Sequence, residues 1–317
     1  MLPTLAEIYR AREHLKGIAL RTPLVRLDFA DAPAEIWLKL ENLQPIGSFK
    51  IRGAANAMAA IPPAELARGV LTASAGNMAQ GVAWCARSLG IPCTVVAPDT
   101  APAAKLDAIK RLGARIIQAP FERWWQTFED RHYPGVNATF IHAFDDLQVM
   151  AGNGTIGLEI LEDLPDVDAV VIPWGGGGLA SGTAAAFRAL SPGCRAYAAE
   201  AATGAPLAAA LEAGAPVIVD HRSTFVDGIG SRMVFPAMLA RAHAALDGSL
   251  VSTLEEIASA MRVLVERVRV VAEGAGACGV AAALAGRAGR GKVVCVVSGG
   301  NVDLDRLTAI LAGRPPT

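Results

Sequence analysis

The sequence lacks the features of a nucleic-acid-binding or membrane protein. Its 317 residues carry a formal net charge of -1, so they offer no basic surface to nucleic acid or to an anionic membrane. No run approaches the roughly 20 apolar residues that a spanning helix needs. The amino terminus carries Glu7, Arg10 and Arg12 and has no apolar signal core. We therefore expect a globular protein with no nucleic acid and no membrane among its partners.

Cysteine is scarce as well. The chain has five cysteines, an odd number, and they form no C-x-x-C pair. Most of them lie in apolar segments; they are Cys85, Cys93, Cys194, Cys278 and Cys295. This usage is typical of buried free thiols in a reducing compartment, so we expect the protein to be cytoplasmic.

What the sequence does contain is a repeated succession of strand and helix, with glycine closing each helix. Residues 70–73 read as a strand, and the helix that follows ends at Gly90. Residues 93–97 read as a second strand, and its helix ends at Gly113. Alternation of this kind indicates parallel βαβ units. We expect an α/β protein with two doubly wound domains and mostly parallel sheets.

One lysine stands between a strand and a helix. Lys50 follows the strand-like residues 36–40 and precedes a helical pattern over residues 54–60. Ligands of open α/β sheets bind at this edge of the strands. The apolar neighbours Phe49 and Ile51 favour partial desolvation, which lowers the pKa of a lysine and suits it to Schiff-base chemistry. The alternative is an ordinary exposed lysine at the start of a helix.

Three small-residue turns also follow predicted strands. The tetraglycine 175–178 can approach a phosphate with its backbone N–H groups, at the start of a helix whose dipole attracts anions. The turn at residues 74–77 can hold a carboxylate in the same way, although a capped helix explains it equally well. The third turn, residues 298–301, reads equally as a simple strand end.

The tetraglycine allows a second interpretation. Gly175, Gly177 and Ala180 satisfy the dinucleotide pattern G-x-G-x-x-A, and Glu200 ends the next strand, where a ribose-binding acid would lie. Taken alone, this segment leaves a nicotinamide-dependent oxidoreductase and a phosphate cup equally open.

Taken together, the motifs resemble the pyridoxal-phosphate enzymes of the threonine/serine dehydratase and serine racemase family, which have fold type II (tryptophan synthase β-like). The resemblance runs from end to end. It is carried by Gly47-Ser48-Phe49-Lys50-Ile51-Arg52-Gly53, Ser74-Ala75-Gly76-Asn77, Gly152-Asn153-Gly154-Thr155, Gly175-Gly176-Gly177-Gly178-Leu179, Glu273-Gly274-Ala275-Gly276-Ala277 and Ser298-Gly299-Gly300-Asn301-Val302-Asp303. We expect residues 1–66 and 147–317 to form a large cofactor-binding domain, and residues 67–146 a small domain that clasps the substrate. We also expect a homodimer.

The resemblance implies a role for each motif. Lys50 would hold pyridoxal 5'-phosphate as a Schiff base and then take the Cα proton of the substrate. Phe49 would pack beside the pyridine ring, Asn77 would bind its 3-oxygen, Ser298 would face its nitrogen, and Glu273 would lie on its far side. The phosphate would be bound by Gly175, Gly176, Gly177, Gly178 and Leu179, and the substrate carboxylate by Ser74, Ala75, Gly76, Asn77 and Met78.

Ser298 favours one reaction over others. A hydroxyl does not stabilise a protonated pyridine as a carboxylate would, so a long-lived carbanion is disfavoured and expulsion of a β-hydroxyl is favoured. We therefore expect a lyase that dehydrates and deaminates a β-hydroxy-α-amino acid to a 2-oxo acid and ammonia. Threonine or serine is the substrate that the resemblance implies. A racemase or a β-replacement enzyme is the alternative, and a nicotinamide oxidoreductase is a more remote one.

The chain departs from the family at several positions. Ala75 stands where racemases have a serine base, and Met78 where the family usually has histidine. Met78, Phe144 and the aromatic residues 121, 124 and 125 leave room for a bulkier substrate such as phenylserine, although aromatic residues at such spacing more often supply helix packing. The family's divalent-cation site would begin at Glu200, but its second acid falls at Pro206, so we expect no metal.

Overall fold

The computed structural model describes residues 1–314. Two sheets organise this part of the chain, one of six strands and one of four. The strands are β1 (Leu24–Arg26), β2 (Glu35–Leu40), β3 (Val70–Ala73), β4 (Cys93–Pro98), β5 (Arg115–Ala119), β6 (Thr139–Phe140), β7 (Ala169–Pro173), β8 (Arg195–Ala201), β9 (Gly248–Ser252) and β10 (Lys292–Val297). The prediction of an α/β fold with two mostly parallel sheets is confirmed.

Helices cover both sheets. They are α1 (Leu5–His14), α2 (Lys50–Ala59), α3 (Pro63–Leu66), α4 (Asn77–Leu89), α5 (Ala103–Arg111), α6 (Phe121–Asp130), α7 (Leu147–Asp163), α8 (Gly178–Leu190), α9 (Pro206–Ala213), α10 (Pro236–Ala245), α11 (Leu254–Val263), α12 (Gly274–Leu284) and α13 (Leu304–Leu311). In residues 1–314, no helix is both long enough and apolar enough to cross a membrane.

The larger sheet has the strand order β1-β2-β10-β7-β8-β9. All its pairs are parallel except the edge pair of β1 with β2. Its central strands are apolar throughout, and their side chains alternate between two core clusters. In β10, for example, Val293 and Cys295 pack on one face while Val294 and Val296 pack on the other. This burial on both faces is what continuous apolar strands of a parallel sheet predict.

The strand order brings three motifs to one edge. Because β10 lies between β2 and β7 and all three run parallel, their carboxyl ends meet. Ser298 follows β10 directly, the tetraglycine follows β7, and Lys50 comes after β2 at the first turn of α2. Motifs far apart in the chain therefore converge on a single site.

The smaller sheet has the order β5-β4-β3-β6 and is parallel throughout. Its contact with the larger sheet runs through α2 and α4. Gly81 in α4 lies so close to α2 that a Cβ there would be 3.2 Å from the carbonyl oxygen of Lys50. The turn after β3, which begins at Ser74, is thereby held beside the lysine.

Candidate active site

Lys50 faces a cavity of about 420 Å³ between the two sheets, within the range of small-molecule sites. Its Nζ donates a hydrogen bond of 2.9 Å to the carbonyl oxygen of Ala143 and lies 5.1 Å from the centroid of the Phe49 ring. Burial lowers the pKa of Lys50 to about 8, against the opposing effect of the Glu273 carboxyl group. About a tenth of the amine is therefore the nucleophilic free base at pH 7, far more than for an ordinary lysine.

The tetraglycine lines the same cavity, and packing explains why it must be glycine. A Cβ at Gly176 would fall within the ring of Phe144, and one at Gly178 would lie 2.8 Å from the Cα of Phe144. Gly177 has a φ of 89°, which is left-handed backbone, and Trp174 packs against its Cα. Gly177 caps α8 without any side-chain hydrogen bond. The first N–H groups of α8 are therefore free to bind an anion.

The turn after β3 supplies a second helix start. Gly76 caps α4, again without a side-chain hydrogen bond to the helix, and its own N–H donates to Oγ of Ser74 at 3.2 Å. Residues 74–78 all line the cavity. Met78 is only 2% exposed and packs with Ile46 and Ile51, so most of its surface serves the core.

Asn77 and Glu273 form a hydrogen-bonded pair at the cavity wall. Nδ2 of Asn77 donates to Oε1 of Glu273 at 2.8 Å, and Oδ1 of Asn77 accepts from Nδ2 of Asn301 at 2.8 Å. Burial raises the pKa of Glu273 to about 8, and the negative charge of Asp227 adds to this shift. Glu273 is therefore mostly protonated at neutral pH.

Ser298 and Phe49 complete the floor of the cavity. The backbone N–H of Phe49 donates to the carbonyl oxygen of Ser298 at 3.0 Å, and Ser48 bridges to Gly299. This contact joins the lysine segment to the end of β10. All the predicted cofactor- and substrate-binding residues thus lie around one cavity.

A buried histidine shapes the loop opposite Lys50, and no sequence motif indicates its role. Nδ1 of His142 accepts hydrogen bonds from the backbone N–H groups of Asp145, at 2.7 Å, and Phe144, at 3.2 Å. Burial lowers the pKa of His142 to about 3, so the ring is neutral and can accept. It fixes the loop that carries the carbonyl of Ala143 and the ring of Phe144.

A buried ionic cluster holds the helix that carries the lysine. Arg52 bridges Glu41, at 2.8 Å, and Glu159, at 2.7 Å, while Lys39 pairs with Glu159 at 2.6 Å. All four side chains are less than 10% exposed, and their charges sum to zero. Arg52 is two residues from Lys50, so the cluster anchors the first turn of α2 against β2 and α7.

Glu200 lies at the end of β8, away from the cavity lining. Its carboxylate accepts hydrogen bonds from the N–H groups of Leu207, at 2.9 Å, and Ala208, at 2.8 Å, and from the hydroxyl of Ser249, at 2.6 Å. Burial raises the pKa of Glu200. Pro206 is the first residue of α9, where its missing N–H is not needed. Glu200 therefore caps α9.

The residues around the cavity fit one kind of cofactor. The lysine with a lowered pKa suits a carbonyl group, and the uncapped start of α8 suits a phosphate. The Ser298 hydroxyl at the end of β10 suits a ring nitrogen that is not protonated. A site of this composition defines an enzyme that uses a phosphorylated aldehyde cofactor.

The chain belongs to the pyridoxal-phosphate dependent enzyme family, which matches residues 15–299. It is 41% identical over 313 residues to the L-threonine ammonia-lyase of Thermotoga maritima, covering 97% of this chain and 78% of that protein. It is 37% identical over 319 residues to the catabolic L-threonine dehydratase of Staphylococcus aureus strain N315, covering 97% and 92%. Maize serine racemase has a TM-score of 0.90 at 32% identity, covering 99% of this chain and 98% of that one.

These similarities confirm the predictions of the family, of fold type II and of a pyridoxal-phosphate-dependent enzyme. They favour the phosphate-cup interpretation of residues 175–178 over the dinucleotide fingerprint. The roles predicted for individual site residues stay predictions.

Proposed function

We propose that the protein is an ammonia-lyase that converts a β-hydroxy-α-amino acid of the threonine or serine type into a 2-oxo acid and ammonia. The observation that carries this proposal is the placement of Lys50 and Ser298 on the same cavity. The similarity to L-threonine ammonia-lyase over 97% of the chain supports it.

Different groups of the protein bind the phosphate, bind the substrate carboxylate and transfer the proton. The N–H groups at the start of α8 hold the phosphate, and those at the start of α4 hold the substrate carboxylate. Lys50 Nζ, as the free base, takes the Cα proton. When bound, the cofactor supplies the sink for the electrons of the Cα–H bond.

The chemistry balances without a further reagent. The Cα–H and Cβ–O bonds break, and the hydroxyl group leaves with a proton as water. The enamine released then takes up water and loses ammonia. The net products are one 2-oxo acid and one ammonia for each amino acid. The hydroxyl of Ser298 favours elimination because, unlike a carboxylate, it would not stabilise a protonated pyridine ring. Without that positive charge, a carbanion at Cα would be short-lived.

Racemisation is the competing function, since maize serine racemase shares the fold over 99% of this chain. The alanine at position 75 disfavours racemisation as the main reaction. Alanine has no group that can take or give a proton, and the resemblance places the second base of a racemase at this position.

We also propose a domain organisation, an oligomeric state and a location for the enzyme. Residues 1–66 and 147–317 form the cofactor-binding domain and residues 67–146 the clasping domain. The enzyme acts as a homodimer in the cytoplasm, where its five buried, unpaired cysteines stay reduced. Limited proteolysis near residues 66 and 146 tests the domain boundaries. The molecular mass in solution tests the homodimer.

Release of 2-oxo acid from L-threonine and L-serine by the purified holoenzyme tests the proposed function. Borohydride reduction should fix the cofactor to Lys50, which peptide mass spectrometry identifies. Lys50→Ala should abolish turnover while some cofactor still binds through the phosphate site. Full activity in Lys50→Ala, or D-serine forming faster than pyruvate in the wild type, would overturn the proposal.

A further inference from the structure

One wall of the active-site cavity is left without a role by the proposed function. The glycine loop, Lys50, Ser298 and residues 74–78 are all assigned to cofactor, carboxylate or proton transfer. One unassigned wall comes from the end of β4, the loop that follows it, the start of α5 and α6. It is lined by Pro98, Thr100, Ala101, Pro102, Lys105 and Trp124. Other lining residues without an assigned role, among them Ala143, Asp227 and Ile229, lie elsewhere around the cavity. The wall described here can receive the substituent on Cβ of the substrate without displacing a group that binds cofactor or carboxylate.

This wall offers the substrate no unpaired charge. Its one cation, Lys105, is paired with Asp227 on the opposite rim, with Nζ 2.9 Å from the carboxylate. Asp227 is also bridged by Arg306 at 3.0 Å. Because these side chains are paired with one another, they do not favour a charged or strongly polar substituent on the substrate. The largest side chain on the wall is that of Trp124, which lines the cavity and also packs on the core of the smaller sheet.

Trp124 is held in place by an aromatic cluster. Its ring centroid lies 5.5 Å from that of Phe121, 6.1 Å from that of Trp125 and 6.5 Å from that of Phe128. Phe128 in turn lies 5.3 Å from Phe144, which packs on the glycine loop. The indole N–H of Trp124 is buried and has no hydrogen-bond partner within the described residues. Trp124 is thus positioned by the faces and edges of its neighbours.

We propose that Trp124 is a specificity-determining residue, and that the site takes a β-hydroxy-α-amino acid with a large apolar, above all an aryl, group on Cβ. This inference rests on the proposed function and names its substrate class. The methyl group of threonine would cover little of this wall, whereas an aryl ring could pack against the indole. Aromatic pairs favour such contacts beyond the area that they bury.

The test compares 2-oxo acid release from L-threo-phenylserine and from L-threonine in four holoenzymes: wild type, Trp124→Ala, Trp124→Phe and Trp125→Ala. Trp125 is the matched control, since it belongs to the same cluster and helix but does not line the cavity. The wild type should use phenylserine with a kcat/KM at least equal to that for threonine. Trp124→Ala should lower the phenylserine-to-threonine ratio about tenfold, the upper end of an aromatic contact.

Trp124→Phe should keep most of the ratio, because it keeps an aromatic face and removes an unpaired N–H. Trp125→Ala should leave the ratio unchanged. Thermal shift of each holoenzyme by L-phenylalanine gives a readout independent of turnover. It should be large in the wild type and small in a Trp124→Ala holoenzyme that still unfolds cooperatively without L-phenylalanine.

Three outcomes would overturn the inference. A higher phenylserine ratio in Trp124→Ala would mean that the indole limits the cavity. An equal loss in Trp125→Ala would assign the effect to packing. Turnover of threonine without any use or binding of phenylserine in the wild type would refute the substrate class while leaving the proposed function intact. If neither substrate yields a 2-oxo acid, the proposed function itself fails.

Discussion

Nδ2 of Asn77 donates a hydrogen bond to Oε1 of Glu273 across 2.8 Å, joining the start of α4 to the residue that precedes α12. The two residues are 196 positions apart in the chain. This contact ties the turn that follows β3 of the smaller sheet to the cavity wall that carries Glu273. It also provides a buried acceptor whose protonation affects stability.

The stability of the cofactor-free protein should fall as pH rises from about 4.5 to 8. In this window an unfolded Glu273 ionises, whereas burial raises the pKa of the folded Glu273 to about 8. The folded state therefore binds more protons, and the loss at pH 7 is at most about 3 kcal/mol. Glu273→Gln should flatten this slope in urea unfolding at pH 5 and pH 7. The exposed Glu212→Gln is the control, and an equal slope in both variants would refute the assignment.

The charged form of Lys50 should lower the free energy of unfolding of the cofactor-free protein. Burial lowers its pKa from 10.5 to about 8, so below pH 8 the folded state holds a poorly solvated ammonium group. Stability should rise between pH 8 and 10.5, where the unfolded chain binds more protons. Lys50→Met should stabilise the cofactor-free protein at pH 7 by up to about 3 kcal/mol. Unchanged or lower stability of this variant would show that the amine is well compensated.

The glycines of the loop should separate into binding and folding positions. A Cβ at Gly175 meets nothing nearer than 3.5 Å, so Gly175→Ala should keep its stability and lose cofactor affinity. Gly176→Ala drives a Cβ into Phe144 and should lower stability by about 1–3 kcal/mol. Thermal unfolding without cofactor and a fluorescence titration with pyridoxal phosphate measure the two effects. Phe144→Leu should restore part of the stability of Gly176→Ala. Equal behaviour of the two glycine variants would contradict this division.

Activity should survive EDTA. The carboxylate of Glu200 is already occupied by Leu207, Ala208 and Ser249, and Pro206 offers no side-chain oxygen. Glu200→Ala should lower stability by about 1–3 kcal/mol, because it leaves the start of α9 without its acceptor. Loss of activity on chelation that magnesium or calcium restores would show that other oxygens complete a cation site.

Ala75→Ser should add racemisation of serine, because it places a hydroxyl on the wall where the resemblance puts the racemase base. Ala101→Ser adds a hydroxyl to another wall of the same cavity and should have no such effect. Chiral chromatography of the recovered substrate measures both variants. D-serine formation by the wild type as fast as elimination would show that Ala75 does not exclude racemisation.

The sequence predicted those parts of the fold that are determined by neighbouring residues. The strand at residues 70–73 and the helix that Gly90 ends lie where predicted, since Gly90 adopts the left-handed conformation that its position requires. One helix begins earlier than predicted, and the reason is a local cap. The spacing predicts a helix from residue 155, but α7 begins at Leu147 because Asp146 caps it.

Other features were not predictable because their partners lie far away in the chain. Strand β9 contains glycine and serine and is only partly buried, so neither alternation nor an apolar run marks it. Helical spacing continues from Leu254 to Arg267, yet the α-helix ends at Val263 and continues as a π-helical turn. The partnership of Arg52 with Glu159 spans 107 residues, and no local pattern indicates it.

The pairing of β2 with β10 also governs when the site can form. Glu35 lies opposite Lys292 in this pair. Strand β2 can pair early with β1, but it gains its second neighbour only after nearly the whole chain has left the ribosome. The smaller sheet, built from residues 70–140, can form much earlier. A nascent chain can therefore complete the smaller sheet while Lys50 is still a solvated lysine with its ordinary pKa of 10.5, so the amine becomes nucleophilic at neutral pH only when the cavity closes around it.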